Sequence, residues 1–151
     1  MVAYHQIIMQ YNFYGHDTPV ASPINDEYKK IKSQYDLYDR LSGIWCEYTC
    51  APRLRKDWSK HNKTLGQCSI TAFLVQDIFG GKVFGVPTDN GGKHCFNVVN
   101  GFTFDLTSEQ FQGKPIDYAD AVEQSRDEHF AKREKYERYL YLVKELKKTL
   151  E

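Results

Sequence analysis

The chain has 151 residues, a length that suits a single domain with a buried core. Lysine and arginine total 20, and aspartate and glutamate also total 20, so the formal net charge is zero. This balance argues against nucleic acid or an anionic membrane as the main partner. Hydrophobic residues make up 41% of the chain, but no stretch is long and apolar enough to span a bilayer.

The start of the chain lacks the features of a secretory signal. Residues 1–6 have neither a basic segment nor a long apolar run, so we expect a cytoplasmic protein. Its four cysteines would then be reduced thiols. We expect one domain over residues 1–151 that needs no cofactor, while the substrate and the oligomeric state stay open.

The first third of the chain predicts one amphipathic helix. Residues 2–14 are apolar and aromatic, and part of this segment could form a strand or a helical turn, since the pattern does not decide between them. A loop rich in glycine and proline covers residues 15–23, and Asn25 or Asp26 is placed to cap a helix over about residues 26–41. Apolar residues recur there at steps of three and four, namely Tyr28, Ile31, Tyr35, Tyr38 and Leu41.

The centre of the chain predicts a buried helix that begins at Cys68. Residues 44–49 favour a second short helix or a strand, and residues 51–65 form a polar connector to the buried helix. Apolar residues after Cys68 occupy more than one side of the helix, which is typical of full burial. Gly80 and Gly81 end it.

The position of Cys68 is one where a thiol becomes reactive. The backbone N–H groups at a helix start lack intrahelical partners and carry the positive end of the helix dipole. They favour the thiolate, which is the nucleophilic form of cysteine, and they can also hold an oxyanion. Gln67 adjoins the thiol and, with the weaker candidates Asn62 and Trp58 of the connector, is a candidate oxyanion or substrate contact.

Three antiparallel strands follow the central helix, and they predict a histidine–aspartate pair. They span residues 82–86, 93–99 and 102–106, and the last two are joined by the hairpin signal Asn100-Gly101. A two-residue loop there places Phe96 opposite Asp105. His94 shares the face of Phe96, so His94 and Asp105 are diagonal neighbours about 7 Å apart at the backbone.

The last third of the chain is predicted to be mainly helical. Residues 107–110 form a capping-box pattern that opens a short helix. A helical pattern then extends over about residues 118–150, with a possible bend or break near residues 125–128. Together these elements predict an α+β fold in which a buried helix packs on a small antiparallel β-meander, with further helices at both ends.

Cys68, His94 and Asp105 are the residue types of a catalytic triad. In such a site the imidazole accepts the thiol proton, and the carboxylate orients the imidazole. We therefore expect Cys68 as nucleophile, His94 as base and Asp105 as orienting acid, provided that the helix start meets the hairpin.

Several short motifs resemble those of the YunG-like family of uncharacterised bacterial proteins, and the likeness covers about residues 44–112. The motifs are Gly66-Gln67-Cys68-x-x-Thr71-Ala72, Gly80-Gly81, His94-x-x-Asn97 and Asp105-Leu106-Thr107-x-x-Gln110-Phe111. The order of cysteine, histidine and aspartate also resembles the papain-like and transglutaminase-like cysteine superfamily. That resemblance implies a papain-like core and a hydrolase or acyl transferase that acts on an amide, isopeptide or thioester bond. The glutamine usual before the cysteine in that superfamily is missing, since Asn62 and Lys63 lie there.

Each site residue also has a plainer interpretation. A cysteine at a buried helix start is most often a small hydrophobic residue, and Asp105 could simply cap the following turn. Gln110 and Phe111 are best explained as a cap and a core anchor. The alternative function is a catalytically inactive binding or regulatory module on the same scaffold, with Phe96 or the loop at residues 89–92 blocking the site.

The remaining cysteines are expected to be packed thiols rather than metal ligands. Cys46 and Cys50 have the spacing of a first zinc-binding pair, but no second pair follows. His94 and Cys95 are adjacent on a strand and so point to opposite faces. We therefore expect no metal.

Overall fold

The computed structural model describes residues 10–89 and 91–151, and it has the predicted mixed α+β architecture. Four α-helices are present in this part of the chain: α1 (Gln34–Ser42), α2 (Cys68–Phe79), α3 (Arg126–Phe130) and α4 (Arg133–Lys148). Its antiparallel sheet has the order β3-β2-β1-β4, with β1 at Lys82–Pro87, β2 at Lys93–Val99, β3 at Phe102–Phe104 and β4 at Val122–Glu123. Short 3-10 turns lie at Asp26–Tyr28, Pro52–Asp57, Lys60–Asn62 and Ser108–Phe111.

Helix α2 is the central element, as its sequence predicts. It begins at Cys68, and most of its side chains are buried: Ile70, Thr71, Ala72, Phe73, Leu74, Val75, Ile78 and Phe79. Gly81, just after the helix, has φ +76°, and a Cβ there would lie 2.2 Å from the carbonyl oxygen of Val98. Only glycine fits this close approach, so the chain can turn directly from α2 into β1.

The face of the sheet that α2 covers is not the face that carries His94. The Asn97 side chain donates from Nδ2 to the carbonyl oxygen of Ala72, 2.8 Å away, which places α2 on the face of Cys95 and Asn97. His94 and Phe96 alternate with these residues and point to the other face. Cys68 therefore meets His94 only because both lie at an end of their element, where α2 starts beside the start of β2.

The predicted hairpin register is confirmed. Asn97 pairs with Phe104 and Val98 with Thr103, as a two-residue loop at Asn100-Gly101 requires. The third strand is shorter than predicted and ends at Phe104. Asp105 leaves the ladder because its backbone N–H donates to the carbonyl oxygen of Tyr14, 2.9 Å away.

The single helix predicted over residues 26–41 is wrong: the structure has a 3-10 turn followed by the separate helix α1. Two caps explain the break. The Asn25 side chain accepts from the N–H of Glu27, which starts the turn, and Ser33 accepts from the N–H of Asp36, which starts α1. Tyr28 and Ile31 are nevertheless buried, so the apolar spacing correctly predicted burial but did not predict where the helix is interrupted.

Residues 44–49 form turns rather than the predicted helix or strand. The Thr49 hydroxyl lies 2.9 Å from the backbone N–H of Cys46 and 3.0 Å from its carbonyl oxygen, so a side chain takes backbone groups that a helix or sheet would use. Most of the expectation for residues 2–14 falls on residues outside the described part of the chain.

The helical prediction for residues 118–150 is correct only from Arg126 onward. Val122 and Glu123 form β4, which extends the sheet beside β1. Ser125 then caps α3 by accepting from the N–H of Glu128. The helical conformation is interrupted again between α3 and α4. Among the described helices, none is long and apolar enough to cross a bilayer.

Candidate active site

His94 and Asp105 form a buried hydrogen-bonded pair. His94 Nε2 lies 2.6 Å from Asp105 Oδ2, and each side chain is only 1% exposed. Asp105 also accepts from the Tyr118 hydroxyl at 2.7 Å and from the Thr107 N–H at 3.2 Å. The carboxylate is thus fixed from several sides, and it fixes the orientation of the imidazole in turn. The side-chain pairing predicted from the hairpin register is confirmed.

Cys68 lies at the first residue of α2 and is partly exposed to a cleft of about 890 Å³. Its sulfur is 3.8 Å from the carbonyl oxygen of Lys93, the residue just before His94. Both Cys68 and His94 line the cleft. Since Asp105 occupies Nε2 of the imidazole, Nδ1 is the nitrogen left to interact with the Cys68 sulfur.

The pKa values of Cys68 and His94 shift in opposite directions. Hydrogen bonding from Cys95 is the largest effect on Cys68; burial opposes it, and hydrogen bonding and the charge of His94 add to it, so the pKa of the Cys68 thiol falls well below its usual value. Burial lowers the pKa of His94, but Asp105 and then Cys68 outweigh it and raise the His94 pKa to about 10. Both shifts favour a thiolate at Cys68 beside an imidazolium at His94.

Two further cysteines show what the surroundings of Cys68 contribute. The Cys95 pKa is raised well above its usual value, first by its hydrogen bond to Cys68 and then by burial, so Cys95 stays a neutral donor. Burial raises the Cys50 pKa to about 11. Cys50 and Cys95 are buried, as predicted, but Cys95 additionally supports the charge on Cys68.

Gln110 and Phe111, which the sequence assigned to a cap and a core anchor, also line the cleft. Gln110 Nε2 donates to the carbonyl oxygen of Thr107 at 3.0 Å and lies 3.5 Å from His94 Nδ1. Phe111 meets the His94 ring edge-on, with centroids 4.8 Å apart. The capping box is wrong, because the Thr107 hydroxyl lies 3.4 Å from Asp105 Oδ1 and caps no helix.

Gln67, predicted as an oxyanion donor, points away from the cleft. Its side chain is fully buried and donates from Nε2 to the carbonyl oxygen of Cys46 at 3.1 Å. Its backbone N–H donates to the carbonyl oxygen of Thr64. Gln67 therefore anchors the end of the connector, and its donors are not available to a substrate.

Asn62 and Trp58 are likewise structural. Asn62 Nδ2 lies 3.4 Å from the carbonyl oxygen of Gln110, and Trp58 Nε1 donates to the carbonyl oxygen of Lys63 at 2.9 Å. Neither residue lines the cleft. The remaining donors near Cys68 are the backbone N–H groups of the first turn of α2, which have no intrahelical partners.

Tyr118 is a site residue that the sequence did not reveal. Its hydroxyl donates to Asp105, and its ring packs on Phe96 with centroids 4.7 Å apart. Burial and then the charge of Asp105 raise its pKa, so the hydroxyl stays protonated. Phe96 is held there beside Tyr118 and does not line the cleft, so the expectation that it would block the site is wrong.

Part of the lining of the cleft comes from α3 and α4. Lys135 Nζ lies 2.9 Å from His129 Nδ1, and His129 Nε2 lies 2.9 Å from Gln124 Oε1. Burial and then the charge of Lys135 lower the His129 pKa to about 4, so this histidine is neutral at neutral pH. Among the described residues, no group of three or more histidine, cysteine, aspartate or glutamate side chains is arranged to hold a metal ion.

Comparison with known proteins identifies the family. The family model described as "YunG protein" matches residues 33–151. The chain belongs to the YunG family. It is similar to the uncharacterized protein YunG of Bacillus subtilis (strain 168), with 40% identity over 85 residues that cover 51% of this chain and 71% of the relative. No solved structure matches this YunG-family chain.

Proposed function

We propose that this YunG-family protein is a cysteine hydrolase or acyl transferase that acts on an amide, isopeptide or thioester bond. The supporting observation is that Cys68 and His94 line one cleft while Asp105 holds the far nitrogen of the imidazole at 2.6 Å. A nucleophile, a base and an orienting acid in this order are what covalent acyl transfer needs.

We also propose that the core is papain-like or transglutaminase-like. The argument is the placement of the three groups: the thiol comes from the start of a buried helix, and the histidine and the acid come from the adjoining antiparallel hairpin. The fold does not determine the substrate, so the reaction is argued from the site alone.

In the first step, the Cys68 thiolate attacks the carbonyl carbon of the substrate and forms a carbon–sulfur bond. The carbonyl oxygen takes up the electron pair, and the N–H groups at the start of α2 stabilise the resulting oxyanion. The tetrahedral species then collapses and breaks the bond to the leaving amine or thiol. His94 gives its Nδ1 proton to that leaving group and becomes neutral.

In the second step, water or an acceptor amine attacks the acyl-thioester. Neutral His94 accepts the proton of the attacking group at Nδ1, so Asp105 again faces an imidazolium. Collapse of the second tetrahedral species breaks the carbon–sulfur bond and restores the thiolate. Water yields hydrolysis and an amine yields transfer, so the acceptor admitted by the cleft decides between them.

The test uses p-nitrophenyl acetate, whose acyl group is small enough to enter without specific recognition. We expect release of several p-nitrophenolate molecules per protein molecule and an acetyl group trapped on Cys68, seen by mass spectrometry. Cys68→Ser should lose both signals. His94→Gln, whose amide can still donate to Asp105, should lose turnover. Cys50→Ser is the matched control and should keep full activity, because Cys50 is buried outside the cleft.

Two results would contradict the proposal. If the protein reacts no faster than its Cys68→Ser variant, Cys68 is not an activated nucleophile. If Cys68 is acetylated once without turnover, and amines do not release the acetyl group, the inactive binding module becomes the better explanation.

A further inference from the structure

The cleft beside Cys68 carries more positive than negative charge. Its lining includes four basic side chains that form no ion pair with any described residue: Arg53, Lys93, Lys132 and Lys135. Two carboxylates also line it, but Glu134 is already paired with Arg138 at 2.8 Å, which leaves only Glu128. Because the whole chain has a net charge of zero, this excess is local to the cleft.

Lys135 is the best placed of the four basic residues. It comes from the first turns of α4 and is partly buried, whereas the other three are exposed. Its Nζ is fixed by donation to Nδ1 of neutral His129 at 2.9 Å, and Gln124 holds the far side of that ring. The ammonium is thus oriented by a neutral partner, and it forms no ion pair with a carboxylate of any described residue.

An uncompensated charge in a partly buried position is unfavourable until a counter-charge arrives. Burial and then the charge of Lys132 lower the Lys135 pKa, and the charges of Cys95 and Cys68 oppose this shift. Arg53 reaches the same cleft from the connector, where its guanidinium packs against Gly92. Basic groups from the connector and from α4 therefore line the same cleft as Cys68.

We propose that the acyl substrate carries a carboxylate close to its reacting carbonyl, and that Lys135 binds this carboxylate with support from the other basic residues of the cleft. This inference rests on the proposed function, since it describes the substrate of the same site. A neutral acyl compound would offer this ammonium no carboxylate partner, so the cleft favours an acidic substrate.

The experiment compares two alkylating agents of similar size, the anion iodoacetate and neutral iodoacetamide, on the full chain. The ratio of their rates at Cys68, divided by the ratio for free cysteine, measures the attraction of the cleft for a carboxylate. We expect this normalised ratio to exceed one. In Lys135→Gln the iodoacetate rate should fall by about 3- to 30-fold more than the iodoacetamide rate, as expected for removing one charge several ångströms away.

The matched control is Lys144→Gln, which makes the same charge change at an exposed position of α4 outside the cleft and should leave the ratio unchanged. Equal loss of both rates in Lys135→Gln would overturn the proposal, because it would mean that Lys135 only stabilises the thiolate. A normalised ratio at or below one would also overturn it. Slow reaction with both agents would instead count against the proposed function, so the two failures are distinguishable.

A second arm identifies the source of the carboxylate. Succinate represents a small dicarboxylic acid, and an acetylated tripeptide with a central glutamate represents an acidic peptide; each is tested for protection of Cys68 from iodoacetamide. Succinamide and the matching glutamine peptide are the neutral controls. Protection by either acid but not by its neutral control supports the proposal, and protection by neither acid overturns it.

Discussion

The two ends of α2 both hold charged groups, but they use them differently. At the first end, Cys68 and His94 line one cleft, and each shifts the pKa of the other toward its charged form. At the last turn, Asp77 is held by Arg126 at 2.8 Å and accepts from the Tyr139 hydroxyl. At the first end, the Cys68 sulfur is partly exposed to the cleft. At the other end, the charged groups are paired with each other and hold the helices together.

The aromatic surroundings of the second end explain its role. The Arg126 guanidinium lies over three rings at 5.4–5.6 Å from their centroids, those of Phe73, Phe130 and Tyr139. These contacts join α3 and α4 to α2. Since α4 supplies Lys135 to the cleft, the cluster at one end of α2 also positions the wall of the site at the other end.

His94→Gln should produce the largest effect, and it should act at the first end of α2 alone. Without the imidazolium the Cys68 pKa rises, although hydrogen bonding from Cys95 still lowers it, so a smaller fraction of the thiol is ionised at pH 6.5. We expect the iodoacetamide rate at Cys68 to fall about 10- to 100-fold at that pH. The fall in rate is smaller than the fall in the thiolate fraction, because a more basic thiolate is intrinsically more reactive. A rate within twofold of the wild type would show that the two groups are not coupled.

Asp77→Ala should produce the converse effect. Arg126 loses its ion pair and Tyr139 its acceptor, so we expect the free energy of unfolding to fall by about 2 kcal/mol. Urea titration measures this loss, and iodoacetamide labelling of the folded protein should show an unchanged rate at Cys68. If labelling slows as much as in His94→Gln, the two ends of α2 are not separable.

The pH dependence of stability provides a third comparison. A raised His94 pKa contributes stability that is complete below about pH 6.5 and is lost as pH rises toward about 10. The lowered Cys68 pKa contributes stability that is complete above the pKa of an unfolded thiol and is lost as pH falls. Between pH 7 and 8.5 the two slopes have opposite signs and cancel.

Cys68→Ser removes one of these slopes. Relative to the wild type, we therefore expect its free energy of unfolding to fall by up to about 2 kcal/mol between pH 7 and 8.5. Urea titrations of both proteins at the two pH values measure the difference. If the free energy of unfolding changes equally with pH in the two proteins, Cys68 is an ordinary thiol in the folded state.

Tyr118→Phe should produce the smallest effect. It removes one donor from Asp105 but keeps the ring against Phe96, and His94 and Thr107 still hold the carboxylate. We expect a loss of about 1 kcal/mol in the free energy of unfolding. The Asp105 carboxylate then accepts one hydrogen bond fewer, so its negative charge acts more strongly on His94. The His94 pKa, followed by NMR, should therefore rise. A fall in that pKa would mean that Tyr118 mainly orients Asp105.

The parts of the site that sequence could predict depend on local rules. The apolar residues after Cys68 indicated a buried helix, and Asn100-Gly101 fixed a hairpin whose register brings His94 to Asp105. Both follow from periodicity and turn chemistry over fewer than about 20 residues. The separation of α1 from the turn at Tyr28 was missed because Ser33 was not recognised as a cap.

The parts that were missed depend on contacts between distant segments. Lys135 reaches the site only after α4 has packed on α2, and Tyr118 only after the segment between β3 and β4 has folded back onto Asp105 and Phe96. No pattern near either residue indicates that position. Gln110 lies three residues after Thr107, which is also the spacing of a capping box. The same spacing therefore fits both a capping box and the observed bond from the Gln110 side chain to the Thr107 carbonyl oxygen. Gln67 was misassigned because its proximity to Cys68 along the chain said nothing about where its amide points.

The placement of α2 on the opposite face from His94 has a consequence for how this family can diversify. Cys68 and His94 meet at the rim of the sheet, so in the proposed reaction a substrate would approach past strand ends and connecting loops, Gly91 and Gly92 among them. Selectivity can therefore be rewritten in those surface segments while the apolar interior that holds the fold stays the same.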